Sequence, residues 1–116
     1  MVGIGGVCDF DARGIGTNYC AASSIRWKNN IREIDNALDM ILNIRGVYFY
    51  WDEAHGAKHD LGFIAEEVGE YIPEIVAYEE NGVDAAGIDY GAIAPVLVQA
   101  IKELQAQVSQ HPVLND

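Results

Sequence analysis

Apolar residues recur every three or four positions in the segment that begins at Asn30. The positions are Ile31, Ile34, Leu38, Ile41, Leu42 and Ile44, and this spacing is typical of a helix with one buried face. We expect Gly46 to end the helix. Ser24 or Asn29 is expected to cap its start, because either side chain can accept a hydrogen bond from a free backbone N–H.

The middle of the chain changes to the pattern of short strands. Residues 47–51 are β-branched and aromatic, which predicts a strand, and residues 61–64 are expected to return beside it after a polar loop. A short helix is predicted at 65–71, ending before Pro73. A second pair of strands is predicted on either side of Asn81-Gly82, a dipeptide that favours hairpin turns, over residues 75–78 and 87–90.

The last segment, residues 92–110, predicts a long helix with Pro95 in its first turn. Its apolar residues alternate between spacings of four and three, which is the pattern of a coiled-coil seam about two heptads long: Leu97, Ile101, Leu104 and Val108. Periodicity alone leaves open whether this helix packs on its own domain or on other copies. The pattern as a whole predicts an α+β fold with one small antiparallel sheet.

Charge and composition narrow the classes of function. Eighteen acidic against seven basic residues give a net charge of −11, which repels phosphate backbones and argues against a nucleic-acid partner. No apolar run approaches the roughly 20 residues that span a bilayer, so no membrane partner is expected. The two cysteines, Cys8 and Cys20, are expected to be reduced thiols because no secretion signal precedes them. Residues 1–22 are rich in glycine and are interpreted as the end of a preceding region.

Ser23 and Lys28 are the first candidates for chemistry. A hydroxyl and an amine five residues apart can act as nucleophile and base, provided that burial or a nearby cation keeps part of the lysine neutral. The alternative is a helix-capping serine beside a solvated lysine, and the spacing itself does not choose between them.

Two other clusters of polar residues are candidate sites. His55 and His59 lie near Asp52 and Asp60, but the cysteine spacing does not match a zinc knuckle, so we predict neither a metal nor another cofactor. The acidic pairs Glu66-Glu67 and Glu79-Glu80 resemble glycosidase carboxylates only in residue type. Adjacent acids of this kind are more often surface charge.

Three motifs resemble the intramolecular chaperone auto-processing domain of phage tailspikes and tail fibres, including endosialidase tailspikes. The first is Ser-x-x-Arg-x-Lys-x-Asn-Ile at residues 23–31, and the second is LGFIAEEV at 61–68 with PEIV at 73–76. The third is GIDY at 87–90 running into LVQAIKEL at 97–104. The resemblance implies a domain over residues 23–116 that follows the end of a fibre or spike.

The resemblance also implies roles for individual residues. It implies self-cleavage between Ala22 and Ser23, with Ser23 as nucleophile and Lys28 as general base. Arg26 matches a family position and is a candidate for the cation that keeps Lys28 neutral. The Asn29 side chain and backbone N–H groups at the start of the following helix are both candidate oxyanion donors, and the sequence does not choose between them. The residue after the nucleophile is usually Asp or Asn in this family, whereas here it is Ser24, so cleavage is expected to be slower or absent if that side chain matters.

The resemblance implies that the long C-terminal helix forms a trimeric helical bundle or coiled coil. The function implied is that of a homotrimeric chaperone, which brings three copies of a fibre into register and then releases itself. The upstream fibre of the same chain would be its partner, in a virion precursor assembled in the host cytoplasm. A non-cleaving trimerisation module is the alternative. A carbohydrate-binding tip is a third possibility, and it predicts exposed aromatic residues among Tyr48, Tyr50 and Trp51.

Overall fold

A computed structural model describes residues 22–110 of the protein. The chain divides into two compact units, residues 1–32 and 33–116. The described part of the second unit, residues 33–110, contains three helices and four strands: α1 (Ala37–Leu42), β1 (Val47–Tyr50), β2 (His59–Gly62), α2 (Ala65–Gly69), β3 (Val76–Tyr78), β4 (Ala85–Ile88) and α3 (Ile93–Ser109). Short 3-10 turns occur at Ile25–Trp27, Glu53–His55, Pro73–Ile75 and Tyr90–Ala92. The predicted boundary between residues 22 and 23 stays a prediction.

The α+β prediction is confirmed, but the strands form two separate sheets instead of one. β1 pairs antiparallel with β2, with Val47 opposite Gly62, and β3 pairs antiparallel with β4, with Val76 opposite Ile88. Among residues 22–110, each sheet has two strands. α2 and the Pro73–Ile75 turn lie between β2 and β3 along the chain, and each strand pairs with its neighbour in a local hairpin.

Both hairpins differ from prediction in their loops. β2 begins at His59, two residues before the predicted start, because pairing continues into the loop through the bond from Trp51 N to Lys58 O (2.9 Å). The predicted Asn81-Gly82 turn lies within a longer loop between β3 and β4. There the Asn81 side-chain oxygen accepts from Val83 N and Asp84 N, and Gly82 has a φ of +70°, which glycine adopts readily.

The prediction of a helix from Asn30 is wrong in its length. α1 begins at Ala37 and ends at Leu42, four residues before Gly46. Asn30 and Asn36 have left-handed backbones, with φ of 52° and 54°, and a left-handed residue cannot continue a right-handed helix. Neither Ser24 nor Asn29 caps α1, since Asn36 precedes its first residue.

The core lies where α1 and α3 pack together and continues to α2. Its buried residues, called the helical core below, are Ala37, Val68, Ile72, Ile75, Val96 and Ala100. Half-buried apolar residues pack against it, among them Phe63, which follows β2, and Val76 and Ile88 of the second hairpin. Pro95 lies in the first turn of α3 as predicted, where its missing N–H costs no helical hydrogen bond.

Candidate functional site

A single 3-10 turn organises the first motif. The Ser24 carbonyl accepts from Trp27 N (3.2 Å), and the Ile25 carbonyl accepts from Lys28 N (3.1 Å). The Ser24 hydroxyl accepts from Arg26 N at 3.3 Å, so this serine caps the turn. Asp and Asn side chains make the same kind of bond to the backbone two residues ahead. Serine at this position therefore supplies a bond of the type that the usual family residue can make.

The turn brings the two predicted catalytic side chains together. Lys28 Nζ donates a hydrogen bond to Ser23 Oγ at 2.8 Å. This distance is within the range required of a nucleophile and its base. Both side chains are exposed, as is Ala22 on the other side of the predicted scissile bond. A lysine can accept the proton of the serine hydroxyl only in its neutral form.

The predicted supporting residues take different positions. The Arg26 guanidinium lies over the Trp27 ring, 4.2 Å from its centre, in a cation–π contact. Asn29 is exposed and follows the turn. Within residues 22–32, the described hydrogen bonds of Ser23 and Lys28 include none to Arg26 or Asn29. The roles assigned to Arg26 and Asn29 therefore stay predictions.

The four predicted seam residues of α3 share one exposed face. Leu97, Ile101, Leu104 and Val108 are 40%, 65%, 48% and 50% exposed, whereas Val96 and Ala100 on the neighbouring face are buried. The described chain therefore uses one face of α3 for its own core and leaves the seam face uncovered. Within residues 22–110, no helix is long and apolar enough to span a bilayer.

The candidate zinc ligands make other contacts. His55 Nδ1 lies 2.7 Å from Asp52 Oδ1, and this hydrogen bond holds the pKa of Asp52 below its usual value. The His59 ring packs between Tyr48 and Tyr50, with ring centres 5.5 and 5.0 Å away. No group of three metal-binding side chains occurs in the described part of the chain. Cys8 and Cys20 lie outside it.

The acidic pair in α2 binds other parts of the fold. Glu66 Oε2 accepts from Ala85 N at 2.9 Å, which joins α2 to β4. Glu67 forms a two-bond ion pair with Arg45, at 2.9 and 2.8 Å, and the hydrogen bonds from Arg45 lower the pKa of Glu67. Glu79 and Glu80 are exposed at the end of β3. These contacts give Glu66 and Glu67 structural roles.

The first hairpin exposes aromatic residues, as the carbohydrate-binding alternative expects. Tyr48 and Tyr50 are 75% and 74% exposed, and Trp51 is 44% exposed. Phe49 alternates to the other side and lines a cleft of about 620 Å³ that reaches α2 and β4. Asp60 lies in this cleft and accepts hydrogen bonds from the backbone N–H of Leu61 and from the indole N–H of Trp51. Both hydrogen bonds lower the pKa of Asp60.

One structural residue was missed by sequence reasoning. Glu103 of α3 accepts hydrogen bonds from the first two backbone N–H groups of α1, Ala37 and Leu38, at 2.9 Å each. The partners are separated by 66 and 65 residues. No local pattern signals such a bond, because a glutamate is an ordinary residue within a helix.

Comparison with known proteins identifies the class of this domain. A peptidase family described as "Chaperone of endosialidase" matches residues 23–77, which include the first two of the three motifs. Residues 23–77 therefore match the chaperone of endosialidase family, and the resemblance inferred from the motifs is confirmed.

Two phage proteins are similar over a longer part of the chain. Both are described as "Long tail fiber protein Gp37", from Enterobacteria phage K3 and Enterobacteria phage T2, and each is 31% identical over 98 residues. The matches cover 80% of this chain but only 8% and 7% of the two fibre proteins. The chain thus corresponds to a small part of these relatives.

Proposed function

We propose that this chain is the intramolecular chaperone of a phage-type tail fibre, which assembles as a trimer and then cuts itself between Ala22 and Ser23. The family match and the two long tail fibre relatives support the chaperone role. The observation that carries the cleavage step is the hydrogen bond between Lys28 Nζ and Ser23 Oγ at 2.8 Å. The short turn at Ile25–Trp27 accounts for this approach of side chains five residues apart.

The proposed cleavage begins with an acyl shift inside the chain. The Ser23 oxygen attacks the carbonyl carbon of Ala22 while neutral Lys28 takes the hydroxyl proton. The C–N bond then breaks, the nitrogen of Ser23 receives a proton from Lys28, and an ester joins Ala22 to the serine oxygen. Water hydrolyses this ester to give a carboxylate on Ala22 and a fragment that begins with Ser23. Because nucleophile and carbonyl belong to adjacent residues, no substrate has to be bound.

The exposed pair requires a change of environment before it can react. An amine in water is mostly protonated at neutral pH, and burial or a nearby cation is needed to favour its neutral form. In the proposal, association of three copies or contact with the upstream fibre buries Lys28. Arg26 is the nearest cation in sequence and would contribute in the same direction. Asn29 or backbone N–H groups would stabilise the oxyanion.

The exposed face of α3 supports the proposed trimer. Its four seam residues have the spacing of a coiled coil and are between 40% and 65% exposed. Burying them between three helices would remove apolar surface from water, which is the main driving force of protein association. Cleavage after assembly would make the fibre kinetically stable, because the released domain could no longer promote unfolding or refolding.

The second candidate function is a trimerisation module that remains attached to its fibre. The exposure of Ser23 and Lys28 favours this candidate, since an exposed pair has no burial to activate it. The two candidates share the trimer and differ only in the fate of the bond before Ser23.

Intact mass of the purified chain distinguishes these candidates. The proposal predicts a fragment that starts at Ser23 in the wild type, no such fragment in Ser23→Ala, and a cutting rate about 10²–10⁴-fold lower in Lys28→Met. Ser109→Ala is the matched control and should cut like the wild type. Native mass should give three copies in every variant.

Two results would contradict the proposal in different ways. An uncut wild-type trimer would remove the cleavage step and leave the attached module. A fragment that persists in Ser23→Ala would show that another protease or another residue makes the cut.

A further inference from the structure

The start of α1 is capped by a side chain from α3. First-turn N–H groups have no acceptor within their own helix, and the residue before the helix usually supplies one. Here that residue, Asn36, has a left-handed backbone and its side chain makes no capping bond. Glu103 caps the helix instead. Its Oε2 accepts a hydrogen bond from Ala37 N, and its Oε1 accepts one from Leu38 N. One carboxylate therefore satisfies both amides.

α1 depends on this contact more than a longer helix would. It has six residues, whereas isolated helices shorter than about 12 residues are marginal in water. Its first residue, Ala37, is fully buried. Glu103 is half-buried and follows Val96 and Ala100 at helical spacing, so it lies on the face of α3 that packs on α1. When α3 packs on α1, it therefore supplies both the core contacts and the cap of α1.

We propose that Glu103 is a conformational latch that makes formation of α1 conditional on the docking of α3. When α3 is undocked, the first two amides of α1 lose their acceptor and the short helix unwinds. When α3 docks, the carboxylate closes on both amides and negative charge meets the N-terminal end of the helix, where it is favourable. The latch joins two helices whose capped and capping residues lie 65 or 66 positions apart.

The latch also has a consequence for assembly, and this consequence alone rests on the proposed trimer. Glu103 is followed directly by the seam residue Leu104. One face of α3 therefore contacts α1, and the adjacent face carries the exposed seam residues. Association that fixes α3 would therefore fix α1 as well. The latch itself concerns a single copy and can be tested whether or not the protein cuts or trimerises.

Amide hydrogen exchange of the ¹⁵N-labelled chain tests the latch residue by residue. In the wild type, the amides of Ala37 and Leu38 should be protected, although first-turn amides normally exchange quickly. Glu103→Ala should expose both, with exchange faster by about tenfold or more, the loss expected for hydrogen bonds to a charged group. Glu103→Gln keeps the shape but only one acceptor oxygen, so one amide should remain protected and the other should not.

The glutamine variant separates a latch from a packing role. Glu74→Gln removes the same charge at an exposed position outside α1 and α3, and it should leave both amides as in the wild type. Wild-type protection of both amides in Glu103→Gln would overturn the latch, since shape alone would then suffice. Equal acceleration in α1 and in the β3–β4 hairpin of Glu103→Ala would also overturn it, because the loss would be global.

Discussion

The helical core buries its apolar residues, whereas the first hairpin, β1–β2, exposes several of them. The six residues of the helical core are at most 7% exposed. In the hairpin, Tyr48, Tyr50 and Leu61 are 75%, 74% and 67% exposed, and they share one face with His59 because the register pairs Tyr48 with Leu61 and Tyr50 with His59. The core thus carries the stability of the single copy, whereas the outer face of the hairpin is apolar surface without a partner in the described chain.

The difference teaches that apolar content alone does not identify a core in this protein. Two helices packed at close range bury even small side chains such as Ala37 and Ala100. A two-stranded hairpin has two faces and only one neighbour to cover them, so the residues of alternate positions stay in water. Tyr48 and Tyr50 therefore leave most of their large side chains in water, whereas the small side chains of Ala37 and Ala100 are buried.

The largest expected effect is a loss of stability on truncating the helical core. Ile72→Ala should lower the free energy of unfolding by about 2–5 kcal/mol, because it removes buried methylene groups and leaves a cavity. Leu61→Ala is the matched change in the hairpin, and it should stay within about 0.5 kcal/mol. Urea unfolding of both variants measures the contrast. Equal losses would mean that the face bearing Leu61 is covered in solution.

A smaller effect is expected where the hairpin meets the rest of the domain. A methyl group at Gly62 would collide with the Tyr90 hydroxyl, which accepts a hydrogen bond from Phe63 N at 3.0 Å. Gly62→Ala should therefore cost about 1–3 kcal/mol in thermal or urea unfolding, the range typical of overpacking.

Two further variants check the cause of that loss. Gly46→Ala is the control, since nothing lies within 4 Å of its added methyl group. In a Tyr90→Phe background, Gly62→Ala should cost less, because the colliding hydroxyl is gone. An unchanged cost would assign the loss to the strand backbone instead.

The smallest effect concerns the ion pair that ties Arg45, just before the hairpin, to α2. The hydrogen bonds from Arg45 lower the Glu67 pKa from its ordinary value of 4.5. A carboxyl group whose pKa is lower in the folded than in the unfolded state stabilises the fold at pH values above its unfolded pKa. This stabilisation is lost as the pH falls through the folded pKa. Arg45→Gln should therefore lower the Tm slightly at pH 7, and the difference from the wild type should shrink as the pH falls below 4.5. Lys102→Gln, an exposed charge on α3, should show no such pH dependence.

Local patterns predicted the parts of the fold that depend on local chemistry. The strand at residue 47, the hairpin around Asn81-Gly82 and the long helix with Pro95 in its first turn were all expected from neighbouring residues. The start of α1 was not, because two left-handed asparagines and a glutamate from α3 decide it. Separation into two sheets depends on tertiary packing, which periodicity does not encode.

The candidate site was predictable for the same reason. Ser23 and Lys28 are joined through one short turn, so their spacing in the sequence already limits their distance in space. Their exposure could not be predicted, because it depends on which surfaces cover the turn. The roles of Arg26 and Asn29 likewise depend on neighbours that the motif does not contain.

Because Ser23 and Lys28 lie close together in the sequence, their contact can form early during synthesis of the chain. A contact between two side chains within six consecutive residues can form as soon as those residues leave the ribosome. Ser109, at the end of α3, is made much later. At about 5–20 residues per second, the roughly eighty residues between them take some 4–16 s. If the pair cuts, its geometry would exist throughout this interval. If the proposed cleavage occurs, a delay until assembly would therefore have to come from the surroundings that later cover the turn, and not from the closeness of the two side chains.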